Sequence, residues 1–408
     1  MPVLWQESHK PSMAKFEPFK GIRATRDKMH LVASRSFLSY SESELQNKLS
    51  TNPYTFLHVI HPTQKRDVAE HLKFMEVRNL FDAYVRNGVL VQESDESYYL
   101  YRQVKSGKTY LGWIGGISVE DYRKGVIKVH EHTIESRENL FSEYLAVTGV
   151  NAEPVLMFGH LDKAFKLWMQ TIAQRTPFAD FSTTDEAQHT LWCISDSSEV
   201  QKIRESFSKM ESVYIADGHH RSASSERLYK QHPEWPGAAH FLSYVIDESD
   251  LTIHPFHRLV KDVRFGEEQI LRILQTKFVR YESEVLNNQP PASVFGVVFK
   301  NNITWWNFNE DDAIDPDRLA NQVLAPIFEF EDFRKDRRLK YSEGPKGIAY
   351  LQEQIGSGNA TVGFVLSPVS VTQLKSVADQ EGIMPPKSTY IEPKLRSGLV
   401  IYPITYGV

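Results

Sequence analysis

The chain has 408 residues, of which 41% are hydrophobic and 24% charged, and its formal net charge is −5. This composition excludes a disordered chain, and the lack of a long Lys/Arg block argues against nucleic acid as a partner. The one cysteine, Cys193, excludes an internal disulfide and a cysteine zinc cluster, and no apolar window is long enough to cross a membrane. We therefore expect a folded cytoplasmic protein with no membrane partner.

Predicted strands and helices alternate through the first half of the chain. The apolar pattern predicts an extended segment over 55–60 and a helix over 68–85. A hairpin follows, because Ser106-Gly107-Lys108 separates two runs of alternating apolar residues. Further helices are predicted over 138–147, 162–173 and 199–210, and strands over 190–194 and 213–216. The last of these helices and its two flanking strands are interpreted as a β-α-β unit.

The C-terminal third continues in the same style. Its predicted elements are a helix over 267–276, strands over 293–299 and 303–306, a helix over 347–355 and a strand over 361–366. The segment 285–292, which contains Asn-Asn-Gln-Pro-Pro, is the best candidate for a linker. The sequence therefore predicts a mixed α/β protein with closely associated lobes over 1–284 and 285–408.

A turn with chemical potential follows the strand predicted over 213–216. It reads Asp217-Gly218-His219-His220-Arg221 and precedes a helical pattern. Glycine permits a tight turn, and the free N–H groups of the next helix form an anion site to which the two histidines and Arg221 add charge and donors. Ligands of open α/β sheets gather at such strand ends. The turn predicts a phosphate site; the alternative is that Asp217 only caps the helix while the histidines face solvent.

A second candidate motif is His130-Glu131-His132-Thr133, which ends a short apolar run before the helix that carries Arg137. Glu131 is a candidate general base toward a hydroxyl or a candidate magnesium ligand. A zinc site through His130 and His132 is a weaker hypothesis, because the helical histidine pair of the zincins is missing. A solvated helix start capped by Thr133 or Glu131 is the structural alternative.

Near the C-terminus, a proline-stiffened loop presents Lys387, Ser388, Thr389 and Lys394. These cations and hydroxyls suit a phosphate or carboxylate, and a solvated connector is the alternative interpretation. The motif that contains His257 and Arg258 is weaker, since a structural histidine explains it at least as well.

Several motifs together resemble the bacterial and archaeal family known as domain of unknown function 1015, over nearly the whole chain. The segments that carry the resemblance are 18–23, 32–35, 52–53, 56–59, 130–133, 215–221, 257–258, 384–389 and 393–395. The motifs place five further residues among the site candidates: Arg23, Arg35, His130, His257 and Arg258.

One departure from the family pattern follows Arg35. The family commonly has Pro-Tyr-Asp at this point, whereas this chain has Ser36-Phe37-Leu38. If that aspartate is catalytic or holds a metal in relatives, the activity of this chain is altered or lost.

The Asp217 turn also resembles the phosphate loops of sulfiredoxin, of ParB nucleotidases and especially of free-serine kinases. The resemblance implies a ParB/sulfiredoxin-like nucleotide- and phosphate-binding core over 1–284, with an additional C-terminal α/β lobe over 285–408 that contributes the Lys387 loop. Sulfiredoxin chemistry is excluded, because its cysteine falls where this chain has His219. Serine or phosphoserine is the implied substrate, and magnesium and an adenine nucleotide are the expected cofactors.

The leading hypothesis is an enzyme that moves a phosphoryl group on or off a small hydroxylated metabolite. Its expected catalytic residues are Glu131, Asp217 and His220, and its expected phosphate- or nucleotide-binding residues are Gly218, His219, Arg221, Lys387, Ser388, Thr389 and Lys394. A non-catalytic nucleotide or metabolite sensor is the first rival. A metal hydrolase would need three of the histidines at 130, 132, 219, 220, 254 and 257 to converge, and no metal ligand is assigned. A homodimer is left open.

Overall fold

The computed structural model of the protein describes residues 14–60, 68–285 and 289–406. The chain forms two compact units, Met1–Leu251 with Pro393–Val408, and Thr252–Glu392. The expected division between 284 and 285 does not coincide with this one, because the strand that begins at Thr252 pairs with strands as late as 389–392. Residues 286–288 of the expected linker lie outside the described residues.

The secondary structure is mixed, as predicted. The strands are β1 (Phe16–Glu17), β2 (Ile22–Ala24), β3 (Leu90–Gln92), β4 (Tyr98–Lys105), β5 (Lys108–Ser118), β6 (Ile127–Lys128), β7 (Val150–Asn151), β8 (Val155–Gly159), β9 (Ala179–Ser182), β10 (Gln188–Ile194), β11 (Val213–Asp217), β12 (His240–Asp247), β13 (Thr252–Val260), β14 (Val294–Val298), β15 (Ile303–Asn307), β16 (Leu339–Glu343), β17 (Val362–Val365), β18 (Thr389–Glu392) and β19 (Tyr402–Pro403).

The α-helices are α1 (Met29–Val32), α2 (Glu42–Thr51), α3 (Leu57–Ile60), α4 (Glu70–Arg86), α5 (Val119–Arg123), α6 (Glu135–Thr148), α7 (Lys163–Ile172), α8 (Ser197–Phe207), α9 (His219–Gln231), α10 (Glu267–Lys277), α11 (Asp315–Arg318), α12 (Ala325–Phe328), α13 (Gly347–Gly356) and α14 (Val371–Asp379). Short 3-10 helices span Phe37–Ser39, Pro236–Ala239 and Gly344–Lys346, and a π-helix spans Leu319–Leu324. None of the helices within the described ranges is both long and apolar enough to span a membrane.

A nine-stranded sheet in the first unit carries the candidate site. Its strand order is β6-β11-β8-β12-β5-β4-β10-β9, and β1 pairs with β5. Because β6 is parallel and β8 antiparallel to β11, the ends of β6 and β11 and the start of β8 lie at one edge of the sheet. The predicted β-α-β unit is β10-α8-β11, but its strands are not neighbours, since β4, β5, β12 and β8 separate them. The mixed α/β class is confirmed.

The hairpin β4–β5 lies where the sequence predicts it. Its loop residues, Ser106 with φ 50° and Gly107 with φ 76°, both adopt the left-handed conformation. This conformation matches the twist of the flanking strands, which begin to pair at Lys105 and Lys108. The turn chemistry therefore sets the register of these two central strands.

One expected element is wrong. The segment 55–60 is not extended, because its last four residues form the short helix α3. The N–H group of His58 donates to the carbonyl of Thr55 at 3.1 Å, which closes a helical turn. A short apolar run cannot distinguish a strand from a buried helical turn.

The main core of the first unit packs helices α7 and α8 against the large sheet. Asp162 and Asp196 begin these helices, and their carboxylates accept hydrogen bonds from first-turn N–H groups. The residues that the two helices bury are Phe165, Met169, Ile172, Ile203 and Phe207. The loops at the sheet edge therefore project from a well-packed platform.

The second unit is built on its own sheet. The strand order is β15-β14-β17-β13-β16, and the first half of β13 also pairs with β18. Helix α10 buries Ile270 and Leu274 against this sheet, together with residues of the π-helix at 319–324. This unit therefore has a separate hydrophobic core.

Candidate active site

Two of the predicted motifs meet at the edge where β6 and β11 end. The parallel register places Ile127 beside Val213, so the residues that follow each strand emerge side by side. The backbone N–H of His130 donates to Nε2 of His219 at 3.4 Å, and the two imidazole rings pack edge to face with centroids 4.5 Å apart. The structure thus brings the Glu131 motif to the Asp217 turn.

Gly218 gives the turn its shape. It is the N-cap residue of α9 and has φ 109°, a left-handed conformation that side chains rarely adopt. No side chain caps this helix, so Asp217 does not act as the cap that the structural alternative required. A Cβ at position 218 would lie 3.1 Å from three atoms of the Arg221 guanidinium. The missing side chain therefore makes room for Arg221, whose Nη1 donates to the carbonyl of Pro154.

Asp217 lies between two cations. Its Oδ2 is 3.5 Å from Nζ of Lys394 and 3.9 Å from Nη2 of Arg221. Burial opposes ionisation, but Lys394 and then Arg221 outweigh it and hold the pKa of the Asp217 carboxyl below its ordinary value. The carboxylate is therefore ionised at neutral pH and fixes the two cations near the turn.

His219 is buried and faces Glu131. Its Nε2 accepts the N–H of His130, so its ring proton lies on Nδ1, which is 3.9 Å from Oε2 of Glu131. Burial, reinforced by the neighbouring His130, keeps the pKa of His219 well below its ordinary value. A neutral imidazole thus directs an N–H group toward a half-exposed carboxylate.

His130 and His220 are also neutral. Burial lowers the pKa of His130, which is 2% exposed, to about 4. Burial, and then the charge of Arg137, lowers the pKa of His220. The Nδ1 atoms of both rings are buried and have no hydrogen-bond partner among the described residues. The expectation that the histidines of the turn add positive charge is wrong, because desolvation disfavours the imidazolium.

A cavity of about 530 Å³ opens onto the turn. Its polar and charged lining residues include Glu70, Lys73, Glu131, Arg137, Asn151, Glu153 and residues 217–221. Its apolar wall is formed by Phe37, Ile60, Phe74, Val77, Leu140, Phe141, Tyr144 and Leu145. Ser36 and Phe37 line this cavity, so the departure from the Pro-Tyr-Asp pattern falls within the candidate site.

The C-terminal segment of the first unit supplies Lys394. Arg396, which is 4% exposed, donates through Nη2 to both carboxylate oxygens of Asp185 at 2.7 and 2.8 Å. Burial opposes ionisation of Asp185, but Arg396 and then Thr183 lower the pKa of this carboxyl to about 2. Ser397 donates to Glu153 at 2.6 Å, and β19 pairs with β7. These contacts fix the backbone from which Lys394 reaches Asp217.

Arg23 and Arg35 have structural contacts. Nε of Arg23 is 2.5 Å from Glu93, and its guanidinium lies 3.5 Å from the ring centroid of Phe178. The guanidinium of Arg35 lies 4.6 Å from the ring centroid of Tyr40. Neither arginine is among the residues that line the Asp217 cavity, although Ser36 follows Arg35 directly.

His257 and Arg258 are buried in β13 of the second unit. Nδ1 of His257 accepts the N–H of Leu366 at 3.4 Å, and burial lowers its pKa to about 4. Nη1 of Arg258 donates to the carbonyl of Phe256 at 2.6 Å, and its guanidinium stacks 4.7 Å from the ring centroid of Tyr341. These contacts give both residues a structural explanation.

The proline-rich loop also belongs to the second unit. Lys387 has φ 57° and lies 5.3 Å from the ring centroid of Phe256. The buried hydroxyl of Ser388 donates to the carbonyl of Pro385 at 2.8 Å, and Thr389 begins β18. The participation of these three residues in the site at Asp217 stays a prediction.

The described residues form no ready metal site. Within ranges 14–60, 68–285 and 289–406, no group of three or more His, Cys, Asp or Glu side chains is arranged to hold a metal ion. Magnesium commonly needs only one or two protein carboxylates when substrate phosphates complete its shell. Glu131 and Asp217 line the same cavity and offer carboxylates for such a magnesium ion. The three-histidine cluster that a metal hydrolase would need is not present among the described residues.

Sequence reasoning missed the apolar wall of the cavity and the carboxylate of Glu153. Six of the eight wall residues come from α4 and α6, and a signal for the wall was present in α6. Leu140 and Phe141 are adjacent apolar residues on α6, and they stay 38% and 42% exposed. Large apolar side chains that remain exposed in a cavity are typical of a ligand site.

Comparison with known proteins assigns the chain to a family. The sequence profile described as "Protein of unknown function (DUF1015)" matches residues 16–366. The chain belongs to this family. The residues that match the family profile include the Glu131 motif and the Asp217 turn, and they end before the Lys387 loop. No curated protein matches the chain.

Solved structures show only a distant likeness. A free serine kinase mutant in complex with ADP is 12% identical with a TM-score of 0.37, over 69% of this chain and 87% of that chain. A conserved hypothetical protein from Pyrococcus furiosus is 12% identical with a TM-score of 0.34, over 69% and 90% of the two chains. SbnI with a C-terminal truncation, from Staphylococcus aureus, is 11% identical with a TM-score of 0.36, over 68% and 82%. Likenesses at these TM-scores support no argument about function.

Proposed function

We propose that this protein is an enzyme that transfers a phosphoryl group to or from a small hydroxylated metabolite, and that the Asp217 turn binds the phosphate. One observation carries the proposal: a glycine turn with an arginine folded over it opens a helix beside the carboxylate of Glu131, in one cavity. Phosphoryl transfer depends mainly on positioning and charge neutralisation, and it requires an anion site next to a group that handles a hydroxyl proton.

The phosphate grip rests on α9 and Arg221. The first N–H groups of a helix, here those of His219 and His220, lack carbonyl partners four residues earlier. Arg221 adds a guanidinium fork, and Lys394 adds a second positive charge through its contact with Asp217. The neutral histidines supply donors and acceptors to this site and no charge.

The proton-handling group is Glu131. Its side chain is 54% exposed within the cavity, so a substrate hydroxyl can approach it. The neutral ring of His219 directs its Nδ1–H group toward the carboxylate and orients it. We assign Glu131 as the general base toward the hydroxyl and His219 as its positioning residue.

The apolar wall suggests how a nucleotide would sit. Side chains such as Phe141 and Tyr144 suit a flat base, while the Asp217 turn takes the phosphates. With Glu131 as the base, Asp217 is the carboxylate that would hold magnesium, which would offset phosphate charge when bound. An adenine nucleotide as donor, a ParB/sulfiredoxin-like core and serine or phosphoserine as substrate are the finer parts of the proposal.

The test is a turnover assay on the full chain. The protein is incubated with ATP, ADP or AMP together with serine or phosphoserine, and products are followed by mass spectrometry. Glu131→Gln should lower turnover by ~10²–10⁴ while leaving nucleotide binding intact, as expected for a lost general base. Glu211→Gln, a change of the same kind at an exposed site, should leave turnover unchanged. If Glu131→Gln reacts at the parent rate, Glu131 is not the base and Asp217 becomes the candidate.

A second candidate function is a non-catalytic sensor of the same ligands. The observation that favours it is that Ser36 and Phe37 line the cavity where the family commonly has Pro-Tyr-Asp. A sensor needs the anion grip of Arg221 and no general base. Nucleotide binding that Arg221→Ala weakens, without turnover of any tested pair by the parent protein, would replace the enzyme proposal by the sensor.

A further inference from the structure

A second cavity, of about 400 Å³, lies in the first unit and does not include the Asp217 turn. It is lined by α7, by β4 and β5 near their hairpin, and by the end of β12. Because β12 runs parallel to β8 and β8 runs antiparallel to β11, the ends of β11 and β12 lie at opposite edges of the sheet. The two cavities share no lining residue.

Arg102 brings a positive charge to this second cavity. Its Nη2 donates to the hydroxyl of Thr190 at 3.1 Å, and its guanidinium lies 5.2 Å from the ring centroid of Trp192. Both direct partners are neutral, and the Thr190 hydroxyl in turn donates to the carboxylate of Asp180 at 3.5 Å. Nε of Arg102 has no hydrogen-bond partner among the described residues. A guanidinium that lines a cavity on neutral contacts is a ready site for a carboxylate.

A neighbouring ion pair is already complete. The buried carboxylate of Asp247 accepts hydrogen bonds from Lys166 at 3.0 Å, from the N–H of Leu161 at 2.9 Å and from Ser249. Burial opposes ionisation of Asp247, but these hydrogen bonds lower its pKa below the ordinary value. Asp247 and Lys166 thus neutralise each other and leave the remaining charges of the cavity unmatched.

Asp250 is the unmatched acid. Burial, and then the charge of Asp247, raises the pKa of its carboxyl. Its stabilising interactions are the hydroxyl of Ser249 and the more distant charge of Lys166, which Asp247 already holds. A ligand cation would remove the cost of ionising this carboxyl in a partly desolvated site.

We propose that this cavity binds a free α-amino acid with an uncharged, apolar side chain. The carboxylate of the amino acid would pair with Arg102 and its ammonium group with Asp250, because these two opposite charges line one cavity without pairing with each other. Leu111, Leu161 and Met169 form the apolar part of the lining and would receive the side chain. Gln170 and Gln174 add amide groups at the rim.

The test is calorimetric titration of the full chain with L-leucine and L-methionine. N-acetyl-L-leucine lacks the ammonium charge and L-leucinamide lacks the carboxylate, so each should bind at least about tenfold more weakly. Arg102→Gln and Asp250→Asn should weaken leucine binding by a similar factor. Lys209→Gln and Asp312→Asn remove the same charges at exposed sites and should leave binding unchanged.

Two further variants locate the ligand. Gln170 is exposed and lines the cavity, so Gln170→Trp should block the site without disturbing the core or its charges, even if Arg102→Gln fails to fold. Arg221→Ala should leave leucine binding intact, because Arg221 lies in the other cavity. Absence of binding at millimolar leucine and methionine, binding that Gln170→Trp leaves unchanged, or binding that Arg221→Ala abolishes would each overturn the proposal.

Discussion

Replacing Gly218 by alanine should separate the geometry of the turn from the stability of the fold. A non-glycine residue in a left-handed conformation costs about 1–3 kcal/mol, and position 218 has φ 109°. The new Cβ would also lie 3.1 Å from Cζ, Nε and Nη2 of Arg221, closer than ordinary van der Waals contact. The guanidinium must therefore move by a few tenths of an ångström, away from the helix start.

A matched control exists at Gly125, in the turn before β6. Its φ is 71°, and a Cβ there would meet no atom within 4 Å. Gly125→Ala should therefore carry a similar backbone cost without any effect on Arg221. Both variants should lower the free energy of unfolding by about 1–3 kcal/mol, and only Gly218→Ala should also weaken the binding of phosphate or ATP, by about tenfold.

The measurements are urea unfolding of each variant and calorimetric titration with ATP or inorganic phosphate. Because a ligand stabilises the folded state according to its affinity, added phosphate should raise the unfolding midpoint of Gly125→Ala more than that of Gly218→Ala. If Gly218→Ala binds phosphate as tightly as Gly125→Ala, the reasoning that Gly218 makes room for a phosphate-binding Arg221 is refuted.

Three further outcomes are expected. Lys394→Met should raise the pKa of the Asp217 carboxyl, measured by ¹³C NMR, and weaken phosphate binding several-fold. An unchanged pKa would show that Lys394, at 3.5 Å, does not stabilise the Asp217 carboxylate. Burial lowers the pKa of folded His130 to about 4 from an ordinary 6.5, so the unfolded state takes up the proton first as the pH falls. The free energy of unfolding should therefore decrease by about 3 kcal/mol as the pH is lowered from 6.5 to 4. In urea titrations across this pH range, His130→Gln should show a weaker pH dependence. Asp185→Asn should cost about 3 kcal/mol in thermal or urea unfolding, because Arg396 would stay buried without its counter-charge, and a loss below about 1 kcal/mol would contradict this.

The local elements were predictable because their signals are local. The hairpin around Gly107 and the strand-turn-helix order around Gly218 follow from residues within a few positions of each other. The short helix at 57–60 was not, since a run of that length satisfies both a strand and a helical turn. The shortness of the segment, more than its residue types, therefore limited this prediction.

The pairing of strands that are distant in sequence could not be predicted from the sequence patterns. Nothing near Tyr214 indicates that its parallel neighbour is Lys128, yet this pairing is what brings Glu131 to the turn. The charge state of His219 was equally inaccessible, because it depends on burial by residues distant in sequence. The same holds for the apolar wall, to which segments as far apart as Phe37, Phe74 and Phe141 contribute.

The first unit is made of two segments of the chain, and this affects the order in which it can fold during translation. Residues 393–406 return to this unit after the whole of 252–392 has been made, and they bring Lys394 to Asp217. At ~5–20 residues per second, a ribosome needs roughly seven to thirty seconds to translate the inserted segment. During that interval the nascent first unit exposes the positions that Arg396 and β19 later cover, and the Asp217 turn lacks the charge of Lys394. Competence for binding would therefore be reached only after residues 393–406 have been synthesised and have joined this unit.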